Sequence, residues 1–110
     1  MSSREERIGL NEAVFREVNE RIEDLADTVG LESQPLDLVC ECGNAVCVQR
    51  ISMSRQEYEV LRSVSNHFAV VPGHEYLDVE RIIERRTGYD IVEKIARGPE
   101  QIAEKTDPRS

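Results

Sequence analysis

Apolar residues recur at alternating intervals of three and four positions along the N-terminal third of the chain. This apolar stripe consists of Ile8, Asn11, Phe15, Val18, Ile22, Leu25 and Val29, with Asn11 as its one polar member. Such spacing places the stripe on one face of a helix. Ser3 and Glu6 have the spacing of a capping box, and Gly30 suits the position after the last helical residue. The pattern therefore predicts a long amphipathic helix over residues 3–29.

The apolar stripe has two uses that the sequence leaves open. It packs on the sheet of its own domain, or it pairs with a second helix across an interface. A repeat of about 3.5 residues suits a helix pair. We therefore expect a homodimer, or a complex with another protein partner, formed through the N-terminal helix.

Shorter patterns follow Gln34-Pro35. Residues 36–40 predict a strand, Gly43-Asn44 a turn, and residues 46–51 the returning strand. Ser54-Arg55-Gln56-Glu57 is a second capping box, which predicts a helix ending near Asn66. Residues 68–71 form an apolar run stopped by Pro72-Gly73, as in a buried strand that leads into a turn.

The stretch 79–86 fits two structures. Asp78 suits the N-cap of a helix there. The alternation of polar and apolar residues over 89–95, beyond Thr87-Gly88, instead favours a hairpin with 79–86 as its first strand. We favour the hairpin.

The whole pattern predicts an α+β fold. It combines the long N-terminal helix with a small antiparallel sheet of hairpins and one further helix. We expect a single domain over residues 1–97, with a metal-stapled core over 36–97. Residues 98–110 have little apolar content and predict a flexible tail.

The residues with metal-binding chemistry cluster around the first turn. Cys40, Cys42 and Cys47, the only cysteines, lie within eight residues. Cys40 and Cys42 project from one face of an extended chain, and the turn returns Cys47 opposite them. His74 follows a Pro-Gly turn and is the expected fourth ligand. Together they form a Cys3His set, which is typical of closed structural zinc sites. We expect Zn2+, with an iron–sulfur cluster as the alternative.

Other readings of these residues remain open. The fourth ligand is otherwise His67, Glu41, Glu75, a water or a group from another chain. Cysteine is also a common buried residue, so the three thiols alternatively serve only as small core side chains. A reversible disulfide between two of them would make a redox sensor.

Charge and hydropathy narrow the class of protein. The 110 residues carry a formal net charge of -8. This acidic balance argues against a large nucleic-acid footprint and against binding to an anionic membrane. No apolar run approaches the ~20 residues that span a bilayer, and the N-terminus has no signal-peptide core. We expect a cytoplasmic protein, where clustered cysteines favour a metal site over disulfides.

Several motifs recur together along the chain: residues 11–22 (NEAVFREVNERI), 39–43 (VCECG) with Cys47, 56–59 (QEYE), 71–75 (VPGHE), and Gly88-Tyr89 before 92–94 (VEK). Through these motifs, from about residue 7 to residue 95, the chain resembles a group of small, uncharacterised bacterial proteins with a CEC-x4-C … PGHE pattern. The resemblance implies that the three cysteines and His74 belong to one site. It implies no activity.

The expected function is that of a non-catalytic zinc-binding regulatory or adaptor domain that acts through protein association. A closed Cys3His site leaves no open position for activating water. A metal or redox sensor is one alternative. A small metal-dependent hydrolase, with Glu41 or Glu75 as base, is another. A nucleic-acid-binding regulator, through the basic cluster Arg81, Arg85 and Arg86, is the third.

Overall fold

Two helices and five strands form the regular framework of residues 3–30, 33–95 and 103–109, which this computed structural model describes. The helices are α1 (Arg4–Thr28) and α2 (Arg55–Arg62), and the strands are β1 (Leu36–Val39), β2 (Arg50–Met53), β3 (His67–Val70), β4 (Glu80–Arg86) and β5 (Tyr89–Lys94). β1 and β2 form one antiparallel pair, and the second sheet has the order β3-β5-β4. The predicted α+β fold is confirmed. Neither α1 nor α2 combines the length and the apolar content needed to cross a membrane.

Both helices begin where local sequence signals predict. The side chain of Ser3 accepts the backbone N–H of Glu6 at 3.1 Å at the start of α1. Gly30 follows the end of α1 with a φ of 79°, the left-handed conformation that glycine adopts readily. Ser54 and Glu57 exchange both hydrogen bonds of a complete capping box at the start of α2. These contacts are local, which is why their residue spacing predicts them.

The predicted hairpin over 79–95 is confirmed. β4 and β5 pair antiparallel, with Arg86 opposite Tyr89 at the turn. Gly88 lies in that turn with a φ of 88°, a conformation that disfavours other residues. β5 also pairs with β3, so it is the central strand of its sheet.

Two predicted boundaries are wrong. The returning strand was expected over 46–51, but β2 begins only at Arg50. Val46 and Val48 are instead about 80% exposed, because the chain between β1 and β2 forms a wide loop around the cysteines. α2 ends at Arg62 rather than near Asn66, because residues 63–66 turn the chain into β3.

α1 packs on the rest of the protein mainly through polar side chains. Its buried residues, which we term the inner face, are Ile8, Gly9, Glu12, Arg16, Asn19 and Glu23. Ile8 is the only member of the apolar stripe among them, and Leu25 and Val29 are each 65% exposed. The inner face is displaced by one position, or about 100°, from the apolar stripe. Packing of the whole stripe on its own domain is therefore not observed.

Ion pairs and carbonyl groups meet the charges of the inner face, although Oε1 of Glu12, Nε of Arg16 and Oε2 of Glu23 have no hydrogen-bond partner among the described residues. The ammonium group of Lys94 lies between the carboxylates of Glu12 and Glu80, and all three side chains are fully buried. The guanidinium of Arg16 donates to the carbonyl oxygen of Ser65 at 2.6 Å. It also lies 4.7 Å from the centroid of the Phe68 ring. Burial of these charges is tolerable because each meets opposite charge, hydrogen-bond partners or an aromatic face.

The C-terminal residues 103–109 lie against α1, unlike the flexible tail predicted for 98–110. Ala103 is buried, and its carbonyl accepts a hydrogen bond from Arg16 at 2.8 Å. Arg109 pairs with Glu20 on α1 and with Glu59 on α2. Residues 98–102 and 110 lie outside the described residues. The ordered contacts come from single polar groups rather than an apolar pattern, which is why the composition does not reveal them.

Candidate metal centre

The three cysteines lie on the loop that joins β1 to β2, residues 40–49, which we term the metal loop. The N–H of Cys40 donates to the carbonyl of Gln49 at 3.0 Å and closes the base of this loop. At its tip the N–H of Cys47 donates to the carbonyl of Asn44 at 3.0 Å. The side chain of Asn44 accepts the N–H of Val46 at 3.1 Å. These turns return Cys47 towards Cys40 and Cys42.

His74 reaches the metal loop from the turn that follows β3. Its N–H donates to the carbonyl of Val71 at 2.9 Å. Gly73 occupies the turn with a φ of 94°, so a residue with a side chain would be strained there. The Pro-Gly turn thus positions His74 as predicted.

The side chains of Cys40, Cys42, Cys47 and His74 converge in one group. Their ligand atoms all lie within 4.8 Å of one another. Nδ1 of His74 is 3.6 Å from Sγ of Cys40 and 3.6 Å from Sγ of Cys47. In tetrahedral zinc sites the bond lengths place imidazole nitrogen about 3.5 Å and a second sulfur about 3.8 Å from each sulfur. The arrangement is compatible with metal binding by all four predicted residues.

Hydrogen bonds favour the thiolate form of Cys42, whereas the pKa values of Cys40 and Cys47 are raised. The N–H of Val71 donates to Sγ of Cys40 at 3.2 Å. Hydrogen bonds from the thiol of Cys40 and the backbone of Asn44 lower the pKa of Cys42 to about 5, although burial opposes them. The pKa of Cys40 is raised by its hydrogen bond to Cys42 and by burial. One thiolate is thus stabilised without metal, and a bound cation would stabilise the others.

Glu41 lies between two candidate ligands but points away from them. Its fully buried carboxylate accepts two hydrogen bonds from Arg62, at 2.8 and 2.9 Å. It also accepts the side-chain amide of Asn19 at 2.8 Å and the N–H of Ala69 at 3.1 Å. Glu41 therefore anchors the metal loop to α1, α2 and β3. The geometry excludes it as a ligand and as a base in this structure.

Two asparagines of α1 hold the metal loop and the strand before it. The side chain of Asn19 pairs with both backbone groups of Val39, accepting its N–H at 2.8 Å and donating to its carbonyl at 2.9 Å. Asn11 donates to the carbonyl of Gly43 at 2.8 Å. A Cβ atom at Gly43 would overlap with the side chain of Ile8. Asn11 stood out in the sequence as the one polar member of the apolar stripe. No feature of the sequence singled out Asn19.

The other candidate ligands have different surroundings. Nε2 of His67 lies 3.0 Å from the carboxylate of Glu93 on β5, outside the cysteine group. Glu75 follows His74 and lines, with Cys42, a cavity of about 210 Å³ beside the group. Its Oε2 atom is buried without a hydrogen-bond partner among the described residues.

The arginines of the predicted basic cluster are engaged in ion pairs. Arg81 pairs with Glu93 at 2.6 Å, and Arg86 pairs with Glu84 at 2.6 Å. Arg85 lies 3.4 Å from the carboxylate of Asp90. Their charge is therefore largely balanced within the hairpin.

The site is thus defined by its own geometry, and the resemblance to small bacterial proteins stays a prediction. The chain matches no protein-family model, no curated protein and no solved structure.

Proposed function

We propose that the protein is a non-catalytic zinc-binding regulatory or adaptor domain that acts through protein association. The observation that carries this proposal is the convergence of Cys40, Cys42, Cys47 and His74 within one group. Thiolate and imidazole donors favour zinc over magnesium or calcium. Clusters of the common iron–sulfur types use four cysteines, whereas three cysteines with one histidine suit a single zinc ion.

A structural role for the zinc follows from the number of donors. Four protein side chains complete a tetrahedron, whereas catalytic zinc sites keep one position for water or substrate. The two core clusters of the fold are also small, and Cys40 and Cys42 belong to one of them. Zinc would add a direct link between the metal loop and the turn after β3, which are already joined by the hydrogen bond from the Val71 N–H to Sγ of Cys40. A reducing compartment such as the cytoplasm, which we include in the proposal, would keep the three thiols available.

Protein association is supported by the apolar side of α1. Leu10, Val14, Leu25 and Val29 are exposed on a helix whose inner face is polar. Exposed apolar surface of this extent on one helix is typical of protein interaction sites. A homodimer or a protein partner bound through α1 is therefore part of the proposal.

The two histidines provide a matched test of the metal site. Elemental analysis and native mass spectrometry should find one zinc per chain in the wild-type protein. His74→Gln should lose zinc at a moderate chelator concentration and unfold at a markedly lower temperature, because structural zinc contributes on the order of 10 kcal/mol of apparent binding free energy. His67→Gln should retain the zinc, because His67 contacts Glu93 instead.

Two results would contradict this proposal. Freshly purified wild-type protein without zinc would remove the metal site altogether. If His74→Gln and the wild-type protein bind zinc equally tightly, His74 is not a ligand. The alternative would then be a zinc site whose fourth position is open to water or substrate.

A further inference from the structure

The outward side of α1 carries a second regular stripe, which we term the outer stripe. Its members, again at intervals of three and four, are Arg7, Leu10, Val14, Val18, Arg21 and Leu25. All six are exposed. The members of the outer stripe include no acidic residue, although the chain has a net charge of -8, and the carboxylate of Glu17 at its edge pairs with Arg21 at 3.7 Å. The outer stripe is therefore a surface on which two acidic chains can approach each other with little repulsion.

Two features flank the outer stripe on the same side of α1. Near the C-terminal end of α1 lies a mainly apolar groove of about 430 Å³, lined by Ile22, Leu25, Ala26, Val29, Pro35 and Leu36 together with Gln34 and Asp37. Near the N-terminal half lies the tip of the metal loop, residues 45–46. Ala45 lines a small cleft together with Val14 and Phe15 of α1. The adjacent Val46 is 80% exposed. The surface thus has one projecting apolar element and one apolar recess.

We propose that a second copy of the chain docks antiparallel on the outer stripe, with the loop tip of each copy in the groove of the other. The proposal rests on the proposed zinc site, because zinc would fix the shape of the metal loop that presents Val46. The resulting dimer is isologous: both copies use the same surface, and each contact occurs twice.

The order of residues in the outer stripe favours the antiparallel arrangement. A two-fold axis near Val18 places Leu10 of one copy opposite Leu25 of the other. Val14 then faces the aliphatic stem of Arg21, which can cover apolar surface while its charged end reaches solvent. A parallel pair would instead place each arginine opposite the same arginine of the second copy, and like charges at close range repel.

The same axis brings the loop tip to the groove. The loop tip lies beside residues 11–15 of α1, and the groove lies beside residues 22–29. In an antiparallel pair centred near Val18, the loop tip of one copy lies at the same height along the helices as the groove of the other copy. A two-fold axis perpendicular to both helices also keeps the loop tip of one copy and the groove of the other on the same side. A parallel pair would place them on opposite sides.

The size of the surface agrees with a specific dimer. α1 has 25 residues, which gives a length of about 37 Å, and a contact strip about 10 Å wide gives roughly 400 Å² per copy. Specific interfaces bury about 800 Å² per partner. The helix alone supplies about half of that area, and the two contacts between loop tip and groove are needed for the rest.

Sedimentation equilibrium of the zinc-loaded full chain tests the dimer. Wild-type protein should sediment as a dimer at concentrations on the order of 100 µM. Val46→Asp should weaken the dimer by at least about tenfold, because it places a carboxylate in the apolar groove. Val60→Asp is the matched control: Val60 is 67% exposed on α2, away from the outer stripe, and this variant should dimerise like wild type. Should Val46→Asp lose zinc, Leu25→Asp, which is distant from the metal loop, replaces it.

Engineered disulfides test the orientation. Oxidation should give covalent dimers of the double variant Leu10→Cys/Leu25→Cys and none of either single variant. Covalent dimers of Leu25→Cys alone would show a parallel pair and overturn the orientation. A sedimenting dimer without covalent dimers of the double variant would overturn it as well.

Zinc content, measured on the same samples, separates the two proposals. Monomeric wild-type protein with one zinc per chain would overturn the second copy as occupant and leave the metal site in place. Protein without zinc would overturn the metal site. If Val46→Asp holds one zinc per chain and dimerises as strongly as the wild-type protein, the contact between the loop tip and the groove is excluded.

Discussion

Replacing Glu41 with Gln tests whether one buried carboxylate holds the metal loop against both helices. The substitution preserves the shape of the side chain and removes its charge. In the wild-type protein the carboxylate of Glu41 lies 2.8 Å from the guanidinium of Arg62, whose side chain is 1% exposed. Burial acts to lower the pKa of Arg62, but the attraction of Glu41 leaves that pKa above its ordinary value. Glu41 is therefore the group that makes the buried guanidinium tolerable.

The expected loss of unfolding free energy follows from these contacts. Gln has only one oxygen, so it cannot accept both guanidinium hydrogen bonds, the Asn19 amide and the Ala69 N–H as Glu41 does. Its amide N–H groups would face the donors of Arg62. Removing one partner of a buried ion pair typically costs about 3–5 kcal/mol. This is a large part of the roughly 5–15 kcal/mol that stabilise an ordinary domain.

Urea unfolding with zinc in excess measures the loss. Glu17→Gln is the matched control, since Glu17 pairs with Arg21 at 3.7 Å on the exposed side of α1. That pair should contribute less than about 0.5 kcal/mol. Replacing both members, as Glu41→Leu/Arg62→Met, should recover much of the loss because neither member of this buried pair is then left without its partner. A loss below about 1 kcal/mol for Glu41→Gln, with zinc content unchanged, would refute the assigned role of the carboxylate.

Two further changes test the contacts of α1. Gly43→Ala should lower stability by about 1–3 kcal/mol, because its Cβ would overlap with Ile8; thermal unfolding measures this, and the same change in an Ile8→Ala background should cost less. Burial raises the pKa of Glu12 from 4.5 to about 7, against the attraction of Lys94. The folded protein then holds a proton that the unfolded chain releases, so stability should fall by up to roughly 3 kcal/mol as pH rises from 4.5 to about 7. Glu12→Gln should flatten urea-derived stability across that range, and identical profiles of variant and wild type would contradict this assignment.

Local signals in the sequence are sufficient for much of the fold. The capping box of Ser54 and Glu57 and the turn at Gly88 depend on residues within a few positions, so their spacing is informative. The candidate ligands are also predictable, because metal chemistry restricts them to few residue types. His74 was identifiable from its Pro-Gly turn although it lies 34 positions from Cys40.

The buried side of α1 was not predictable from periodicity. Glu12, Arg16 and Asn19 have the composition of a solvent-exposed helix side, and their partners lie far along the chain. Arg16 contacts Ala103, which is 87 positions away. Hydrophobic spacing reports which side of a helix avoids water, and here that side contacts the body only in part: Ile8 is buried and Ile22 packs against the core, whereas Leu25 and Val29 are exposed. The outer stripe proposed above for the second copy shares only Val18 and Leu25 with the apolar stripe.

The polar inner face of α1 also restricts how the helix can move. Two apolar surfaces can slide past each other by small steps at little cost, because burial is non-directional. Glu12, Arg16 and Asn19 of α1 meet their partners at single positions, so a rotation or a shift of the helix by one residue would break several buried polar contacts at once. Small sliding or rotational shifts of α1 are therefore unfavourable. We expect α1 to have two states: packed on the rest of the protein with all of these contacts made, or detached from it in one cooperative step.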